Sequence, residues 1–266
     1  MTTGALPRTP GPGAQPQPLP ALGPYELGRV HHADCLEALR QLPDACVDAV
    51  VTDPPYFLPA THYCTRTRFP RSLSDLSMVE HFYRDFFAQA ARILRPTGVF
   101  YVFCDGQSYP VFFCLTYPFV RRVVPLIWDK LVSINGYSWR HQHEIILFAE
   151  MGDAKSVPTG DGDILRCKAV PVEERLHPAE KPIPLLRSFI HKSVNQGGIV
   201  VDPFAGSGTT LLAANQEGCQ SLGFESDEHY VEQANQRSAA EHERLGDVRP
   251  ADAKRGQQVG LLTEGR

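Results

Sequence analysis

The sequence lacks the features of several protein classes. No apolar run among its 266 residues reaches the roughly 18 that a membrane helix needs. The amino terminus has neither the charged start nor the apolar core of a secretion signal. Its seven cysteines are odd in number and form no Cys-x-x-Cys pair, so neither a disulfide framework nor a zinc ribbon is supported. We therefore expect a cytoplasmic protein with no membrane partner and no metal site.

An excess of charge of one sign is also absent. The chain has 26 Lys and Arg against 30 Asp and Glu, which gives a formal net charge of −4. This balance excludes a uniformly basic nucleic-acid binder, although a local basic cleft stays compatible with it. Hydrophobic residues make up 42% of the chain and charged residues 21%, as in ordinary globular proteins. The length suits one domain with a large core.

Composition divides the chain into three parts. Residues 1–24 contain seven prolines and four glycines, which predicts a disordered arm. Residues 247–266 form a polar tail that we expect to fray. Residues 25–246 between them form the predicted folded domain.

Within this domain, short apolar and β-branched runs alternate with helical patterns. Such runs are typical of strands buried on both faces of a parallel sheet. Helical periodicity over 77–93 and 182–194, and again after Gly208 and Asp227, separates several of them. The pattern predicts an α/β fold with a doubly wound, seven-stranded, mainly parallel sheet that binds ligands at the carboxyl ends of its strands. The predicted strands are Arg29–Asp34, Val47–Asp53, Val99–Cys104, Val123–Trp128, Glu144–Ala149, Ile199–Asp202 and Ser221–Glu225.

One of these strands runs through a glycine turn into a helix, over 200–210. Gly206 and Gly208 permit close approach of a ligand to the backbone, and the helix start offers unpaired N–H groups. Leu211 stands where a dinucleotide loop has its third glycine, and no lysine follows Gly208 as a Walker loop requires. Glu225 could accept hydrogen bonds from the hydroxyls of a ribose. The loop therefore predicts a nucleoside-containing ligand, with a tight structural turn as the alternative.

A second strand ends in the sequence Asp53-Pro54-Pro55-Tyr56. The two prolines fix the backbone and remove its N–H donors, so the turn presents acceptors beside an aromatic ring. Two acceptors can pull on the hydrogens of an exocyclic amine and aim its lone pair at a methyl donor. Tyr56 could stack on an extruded base. The alternative interpretation is a rigid structural turn.

Together these two motifs resemble the S-adenosylmethionine-dependent DNA amino-methyltransferases, the N6-adenine and N4-cytosine family. Because the Asp53 turn precedes the glycine loop, the order resembles the circularly permuted beta class. The resemblance extends over about residues 28–240. It implies a Rossmann-like methyltransferase fold for residues 25–246 and S-adenosylmethionine as cofactor.

The resemblance also assigns roles by position. It makes the turn catalytic, through Asp53, Pro54, Pro55 and Tyr56. It places Asp34, at the end of the first strand, near the adenine of the cofactor. Lys181, in the segment His177-Pro178-Ala179-Glu180-Lys181-Pro182, would flank the methionine moiety. The full predicted cofactor set is Asp34, Lys181, Asp202, Phe204, Gly206, Gly208, Thr209 and Glu225.

Basic residues predict where double-stranded DNA is held. Phosphate contacts from such residues position the duplex, and the alternative is a solvated charged loop. Target recognition is assigned to two irregular stretches, 57–76 and 151–176. The candidate DNA-binding residues are Arg66, Arg68, Arg71, Lys130 and Arg140.

The sequence thus predicts methyl transfer to an exocyclic amino group of a flipped DNA base. N6 of adenine is favoured because an Asp-led turn is commoner in the adenine enzymes of this family. N4 of cytosine, an RNA amino-methyltransferase and a nucleic-acid-binding module without turnover are the alternatives. A cognate restriction endonuclease is compatible with the sequence, as is a monomeric or homodimeric state.

Overall fold

The centre of the fold is a pair of parallel strands whose residues are nearly all buried. The computed structural model describes residues 20–55, 76–134, 139–152 and 161–246. The strands are β1 (Ala21–Leu22), β2 (Tyr25–Glu26), β3 (Arg29–His32), β4 (Val47–Thr52), β5 (Leu94–Cys104), β6 (Arg122–Ile134), β7 (His141–Glu150), β8 (Ile164–Arg166), β9 (Ile199–Asp202) and β10 (Gln220–Glu225). The helices are α1 (Cys35–Gln41), α2 (Leu76–Ile93), α3 (Ser108–Thr116), α4 (Ile183–Ser193), α5 (Thr209–Gln216) and α6 (Glu228–Gly246).

Eight strands form one sheet in the order β3-β10-β9-β4-β5-β7-β6-β8. Strand β7 is antiparallel to both of its neighbours, and every other adjacent pair is parallel. Aromatic side chains of α2, among them Phe86 and Phe87, cover one face together with α1 and α3. Leu185 and Phe189 of α4 and Ala213 of α5 cover the other face. The predicted doubly wound, mainly parallel α/β fold is confirmed.

The site-forming crevice follows from how the chain leaves β4 and β9. These two strands are neighbours, with Val50 opposite Val201. From β4 the sheet continues on one side through β5, whereas from β9 it continues on the other side through β10. The connections therefore diverge at the carboxyl edge and leave a crevice there, which is where open α/β sheets bind ligands.

The structure differs from the sequence prediction at several elements. Strand β8 is an eighth strand inside the stretch 151–176, which was predicted to be irregular. Strand β1 pairs with β2, so the predicted disordered arm of residues 1–24 reaches too far. Helices α1 and α3 have no counterpart in the sequence prediction. The loop 57–76 lies, except for residue 76, outside the described residues.

Strands β6 and β7 form a hairpin that projects beyond the end of β5. The last pair between β5 and β7 joins Cys104 to Ile145, whereas β7 begins at His141 and its first residues pair with β6 alone. At the hairpin end, Trp139 is 86% exposed. The projection points past the carboxyl edge of the sheet, the edge that holds the crevice. Among the described residues, no helix combines the length and apolar content needed to cross a bilayer.

At the amino ends of the central strands, Asp48 of β4 contacts β5 and β9. Its carboxylate accepts a hydrogen bond from the backbone N–H of Ile199, at 2.8 Å, and pairs with the guanidinium of Arg95. The Asp48 side chain is 23% exposed, whereas Asp44, which pairs with Arg92 nearby, is 78% exposed. Since only the partly buried carboxylate satisfies a strand N–H, the two ion pairs should differ in their contribution to stability.

We expect Asp48→Ala to lower the free energy of unfolding by about 1–3 kcal/mol, because it leaves the Ile199 N–H and Arg95 without their acceptor. The control Asp44→Ala should cost under about 1 kcal/mol, as exposed ion pairs do. Urea unfolding at neutral pH measures both. Equal losses in the two variants would contradict the role of Asp48 as a link between β4, β5 and β9.

Candidate active site

A cleft opens at the carboxyl ends of β4 and β9. It encloses about 410 Å³ of space, part of which is open to solvent. Both motifs singled out in the sequence contribute to its walls. The lining residues are Thr52, Asp53, Phe103, His177, Ala179, Glu180, Lys181, Leu186, Asp202, Phe204, Ala205, Gly206, Ser207, Thr209 and Thr210.

Asp202 connects the two motifs through hydrogen bonds. One carboxylate oxygen accepts the hydroxyl of Thr52 at 2.6 Å, and the other accepts the hydroxyl of Thr210 at 2.6 Å. The backbone N–H of Phe204 also donates to it, at 3.1 Å. Burial raises the pKa of Asp202 to about 6, although these three hydrogen bonds oppose the shift. Asp202 thus fixes the start of the glycine loop against the strand that leads to Asp53.

The glycine loop depends on left-handed backbone at two positions. Gly206 has φ +49° and Gly208 has φ +76°, a region that other residues adopt only with strain. A Cβ on Gly206 would lie 3.4 Å from the ring of His177, and one on Gly208 would lie 2.9 Å from the Cβ of Ala234. The loop is therefore held close to its neighbours, with the Gly206 backbone forming part of the cleft wall.

Glu225, at the tip of β10, holds the glycine loop from its other side. One oxygen accepts the backbone N–H of Gly206 at 2.9 Å, and the second accepts those of Ser226 and Asp227 at 2.8 and 3.0 Å. The residue is only partly buried, so its carboxylate lies at the rim of the cleft. Its remaining acceptor capacity is suited to ligand hydroxyls.

The Asp53 turn is fixed by two side chains from other elements. The Lys181 ammonium pairs with the Asp53 carboxylate, and the Tyr83 hydroxyl of α2 donates to the carbonyl of Pro55. Tyr83 is buried, and burial raises its pKa well above the ordinary range. Tyr83 was not identified from the sequence, because its position on the inner face of α2 reads as ordinary core.

Lys181 belongs to a row of alternating charges. Its ammonium lies 3.2 Å from a carboxylate oxygen of Glu144 on β7, and the other Glu144 oxygen lies 2.6 Å from the ammonium of Lys130 on β6. Lys181 is only 8% exposed. Burial lowers its pKa, but Asp53 and Glu144 outweigh burial and hold the pKa above the usual value. Burial likewise opposes ionisation of Glu144, but Lys181 and Lys130 together keep its pKa low.

The segment that carries Lys181 is anchored to the glycine loop. Glu180 pairs with Arg237 of α6 at 2.8 Å and accepts the backbone N–H of Leu176 at 2.7 Å. Arg237 also lies within hydrogen-bond distance of the Thr209 hydroxyl, at 3.3 Å. This anchor sets the position of Lys181 in the cleft. Arg237 could not be identified from the sequence, since nothing local marks one basic residue of α6 as inward-facing.

The structure brings most of the predicted site residues together. Asp53, Lys181, Asp202, Phe204, Gly206 and Thr209 line the cleft, and Gly208, Glu225, Pro54 and Pro55 adjoin these residues. Asp34 does not line it: its carboxylate caps α1 by accepting the backbone N–H groups of Leu36 and Glu37, at 2.9 and 3.0 Å. Asp34 is exposed at the end of β3, beside the strand that ends at Glu225.

Among the predicted DNA contacts, Lys130 needs correction. It is largely buried in its ion pair with Glu144 and lies 5.3 Å from the ring of Trp128, so it does not offer an ammonium to phosphate. Arg140 is exposed at the hairpin end, as a phosphate contact requires. The predicted residues Tyr56, Arg66, Arg68 and Arg71 lie outside the described residues.

Comparison with known proteins identifies the family. A family model described as DNA methylase, that of the N6 and N4 methyltransferases, matches residues 47–236. The chain belongs to this DNA methylase family. The match spans both walls of the cleft, from β4 with its Asp53 turn to the glycine loop and the first half of α6. The predicted family and the predicted enzyme class are therefore confirmed, whereas the beta-class permutation stays a prediction.

Named relatives agree with this membership. The methylase is 25% identical over 240 residues to the type II methyltransferase M2.DpnII of Streptococcus pneumoniae, a match that covers 80% of this chain and 90% of the relative. Its fold is similar to that of M1.HpyAVI in complex with SAM, with TM-score 0.61, 22% identity and coverage of 79% and 98% of the two chains. It is also similar to the cytosine-N4-specific PvuII DNA methyltransferase, with TM-score 0.61, 18% identity and coverage of 82% and 92%.

The buried carboxyl of Asp202 predicts a pH effect on the stability of the methylase. The pKa of Asp202 rises on folding from 3.8 to about 6. Its favourable contribution to the free energy of unfolding is therefore complete below pH 3.8 and is lost as pH rises through 6. Relative to Asp202→Asn, the wild type should lose up to about 3 kcal/mol of unfolding free energy between pH 4 and pH 7. Chemical denaturation of both proteins across this range measures the difference, and a difference independent of pH would contradict the assignment.

Proposed function

We propose that this DNA methylase transfers the methyl group of S-adenosylmethionine to an exocyclic amino group of a base flipped out of double-stranded DNA, with N6 of adenine favoured. One observation carries the proposal: the Asp53 turn and the glycine loop line a single cleft, joined by the hydrogen bond from Thr52 to Asp202. The Asp53 turn, which can accept hydrogen bonds from an amine, therefore lies beside the glycine loop, which is suited to a nucleoside.

The residues of the cleft fit the proposed cofactor. The left-handed backbone at Gly206 and Gly208 lets the loop approach a ligand closely, and Phe204 offers an apolar ring in the cleft wall. The Glu225 carboxylate at the rim is suited to accept hydrogen bonds from the two hydroxyls of a ribose. Asp34, at the neighbouring strand end, has one oxygen engaged in capping α1, and we place it near the adenine. When bound, S-adenosylmethionine supplies an electrophilic methyl group on a sulfonium.

Asp53 acts on the incoming base. Its carboxylate and the Pro54 carbonyl accept hydrogen bonds from the exocyclic NH₂, while Pro54 and Pro55 present no competing N–H donor. The amine nitrogen would thereby become more nucleophilic towards the methyl group that S-adenosylmethionine would supply, and Asp53 would accept the proton that the nitrogen loses on methylation. We assign Tyr56 to stacking on the flipped base.

DNA is held along the same edge of the sheet. The β6–β7 hairpin projects past the end of β5 and presents Trp139 and Arg140 to solvent, and Arg166 and Lys168 are exposed near its base. Basic side chains of this kind position a duplex through its phosphates, and an exposed indole can occupy a distorted step. Arg66, Arg68 and Arg71, which follow the Asp53 turn in sequence, complete the proposed DNA surface. We further propose a cytoplasmic monomer or homodimer with a cognate restriction endonuclease.

Mass spectrometry of nucleosides tests this function. The full-length protein is incubated with unmodified bacterial DNA and isotopically labelled S-adenosylmethionine, and the DNA is then digested to nucleosides. Labelled N6-methyl-2′-deoxyadenosine supports the proposal as stated, whereas labelled N4-methyl-2′-deoxycytidine would make cytosine, and not adenine, the target base. Label in matched RNA but not in DNA would overturn it, as would cofactor binding without any transfer.

Replacement of Asp53 should separate chemistry from binding. We expect Asp53→Ala to lower the rate of methyl transfer at least about a thousandfold, because the amine loses its charged acceptor. Affinity for S-adenosylhomocysteine, measured by calorimetry, should stay within about twofold. The control Asp105→Ala removes a carboxylate at the end of the adjacent strand, where it accepts the N–H groups of Gln107 and Ser108, and should leave the rate unchanged. A loss of cofactor affinity equal to the loss of rate would remove Asp53 from the catalytic role.

Replacement of Gly206 should have the converse effect. We expect Gly206→Val to weaken S-adenosylhomocysteine binding at least tenfold, or about 1.4 kcal/mol, since the side chain crowds His177 and disfavours the left-handed backbone. Gly197→Val is the matched control, because Gly197 has φ +79° but no atom within 4 Å of its added Cβ. Unchanged affinity in the Gly206 variant would refute the assignment of the loop to the cofactor.

A further inference from the structure

Four side chains form a continuous row of alternating charge that ends at the Asp53 turn. The row runs from Lys130 through Glu144 and Lys181 to Asp53, and we call it the charge row. All four side chains are less than one-fifth exposed, and the row contains two positive and two negative groups. Charges taken out of water in this way are stable only when each has a partner.

The proposed chemistry competes with the ion pair between Lys181 and Asp53. Asp53 must accept a hydrogen bond from the base amine, yet one of its carboxylate oxygens is paired with the ammonium of Lys181. A full positive charge on that carboxylate withdraws the electron density that polarises an amine. The Asp53 carboxylate therefore polarises the amine more strongly once Lys181 has shifted away from it.

Lys181 cannot make that shift into an unpaired position. It is almost completely buried, and an ammonium without a counter-ion in such surroundings costs several kcal/mol. Its apolar neighbour is the ring of Phe103, whose centroid lies 4.9 Å from the ammonium and offers only a weak interaction. Over the part of the chain that the structure describes, Glu144 is the one other carboxylate at ion-pair distance from Lys181.

We infer that Glu144 is a positioning residue, which takes over the Lys181 ammonium when the base amine engages Asp53. Lys130 holds the other Glu144 oxygen and so keeps the carboxylate directed at Lys181. The shift changes no protonation state and no net charge, because the incoming amine is neutral. This inference rests on the proposed function and assigns to Glu144 no contact with base or cofactor.

Substitutions can distinguish the effect of the Glu144 charge from the effect of its side-chain packing. Glu144→Gln keeps the size of the side chain but removes the charge, and Glu144→Asp keeps the charge but shortens the chain. A counter-ion role predicts that kcat falls in the order wild type, Asp variant, Gln variant, with at least a tenfold loss for Gln. A role in packing alone predicts the reverse order, since Gln fills the space and Asp leaves a gap.

Glu150→Gln is the matched control. Glu150 lies on the same strand at the opposite end, is likewise mostly buried, and pairs with Arg122 at 3.6 Å. We expect this variant to keep the wild-type kcat. In all variants, circular dichroism reports folding, and calorimetry reports affinity for S-adenosylhomocysteine, which should stay within about twofold of the wild type.

The outcomes distinguish this inference from the proposed function. If the wild type transfers no methyl group to DNA, the proposed function fails. If the wild type is active and the Gln variant equals it, or the Asp variant is the slower of the two, the role of Glu144 is overturned. A cofactor affinity that falls in parallel with kcat would also overturn it. If the Gln variant does not fold, a lower kcat in the Asp variant at unchanged cofactor affinity supports the inference, and an unchanged kcat overturns it.

Discussion

The hydrogen bonds to the buried carboxyl of Asp202 are the constraint on which the site depends. Two hydroxyls, from Thr52 at the end of β4 and from Thr210 in α5, satisfy this carboxyl from opposite sides. The contact fixes the ends of two strands that are neighbours in the sheet but lie 150 residues apart in the chain. It holds the glycine loop in place and also sets where the Asp53 turn begins. A single buried carboxyl therefore fixes the positions of the two motifs relative to one another.

A second theme is the compensation of charge among largely buried side chains beside the cleft. Lys181, Glu144 and Lys130 extend the ionic contact of Asp53 away from the cleft and into the base of the β6–β7 hairpin. Burial opposes the ionisation of Glu144 and of Lys181, and their oppositely charged neighbours outweigh it. Such a row adds little net stability compared with apolar packing. Its value lies in fixing the position of the Asp53 carboxylate at the cleft.

The parts of this structure that the sequence predicts are those encoded by local patterns. Continuous apolar runs gave β4 and β9, and the Gly206–Gly208 spacing gave the start of α5, because strand burial and left-handed turns leave direct marks in residue type. The three-residue β8 leaves no such mark, since its formation depends on pairing with β6. The same limit applies to pairing between distant side chains. Lys130 resembles a phosphate contact until Glu144, 14 residues later, is brought against it by the hairpin.

The distance along the chain between β4 and β9 has a consequence for biosynthesis. Ribosomes add about 5–20 residues per second, so the strand bearing Asp53 waits on the order of ten seconds before its central partner is made. During that interval one edge of β4 presents unpaired backbone groups to any strand nearby, which is a known route to misassembly. Until β9 and the glycine loop have been made, the nascent chain holds only one of the two motifs that line the cleft.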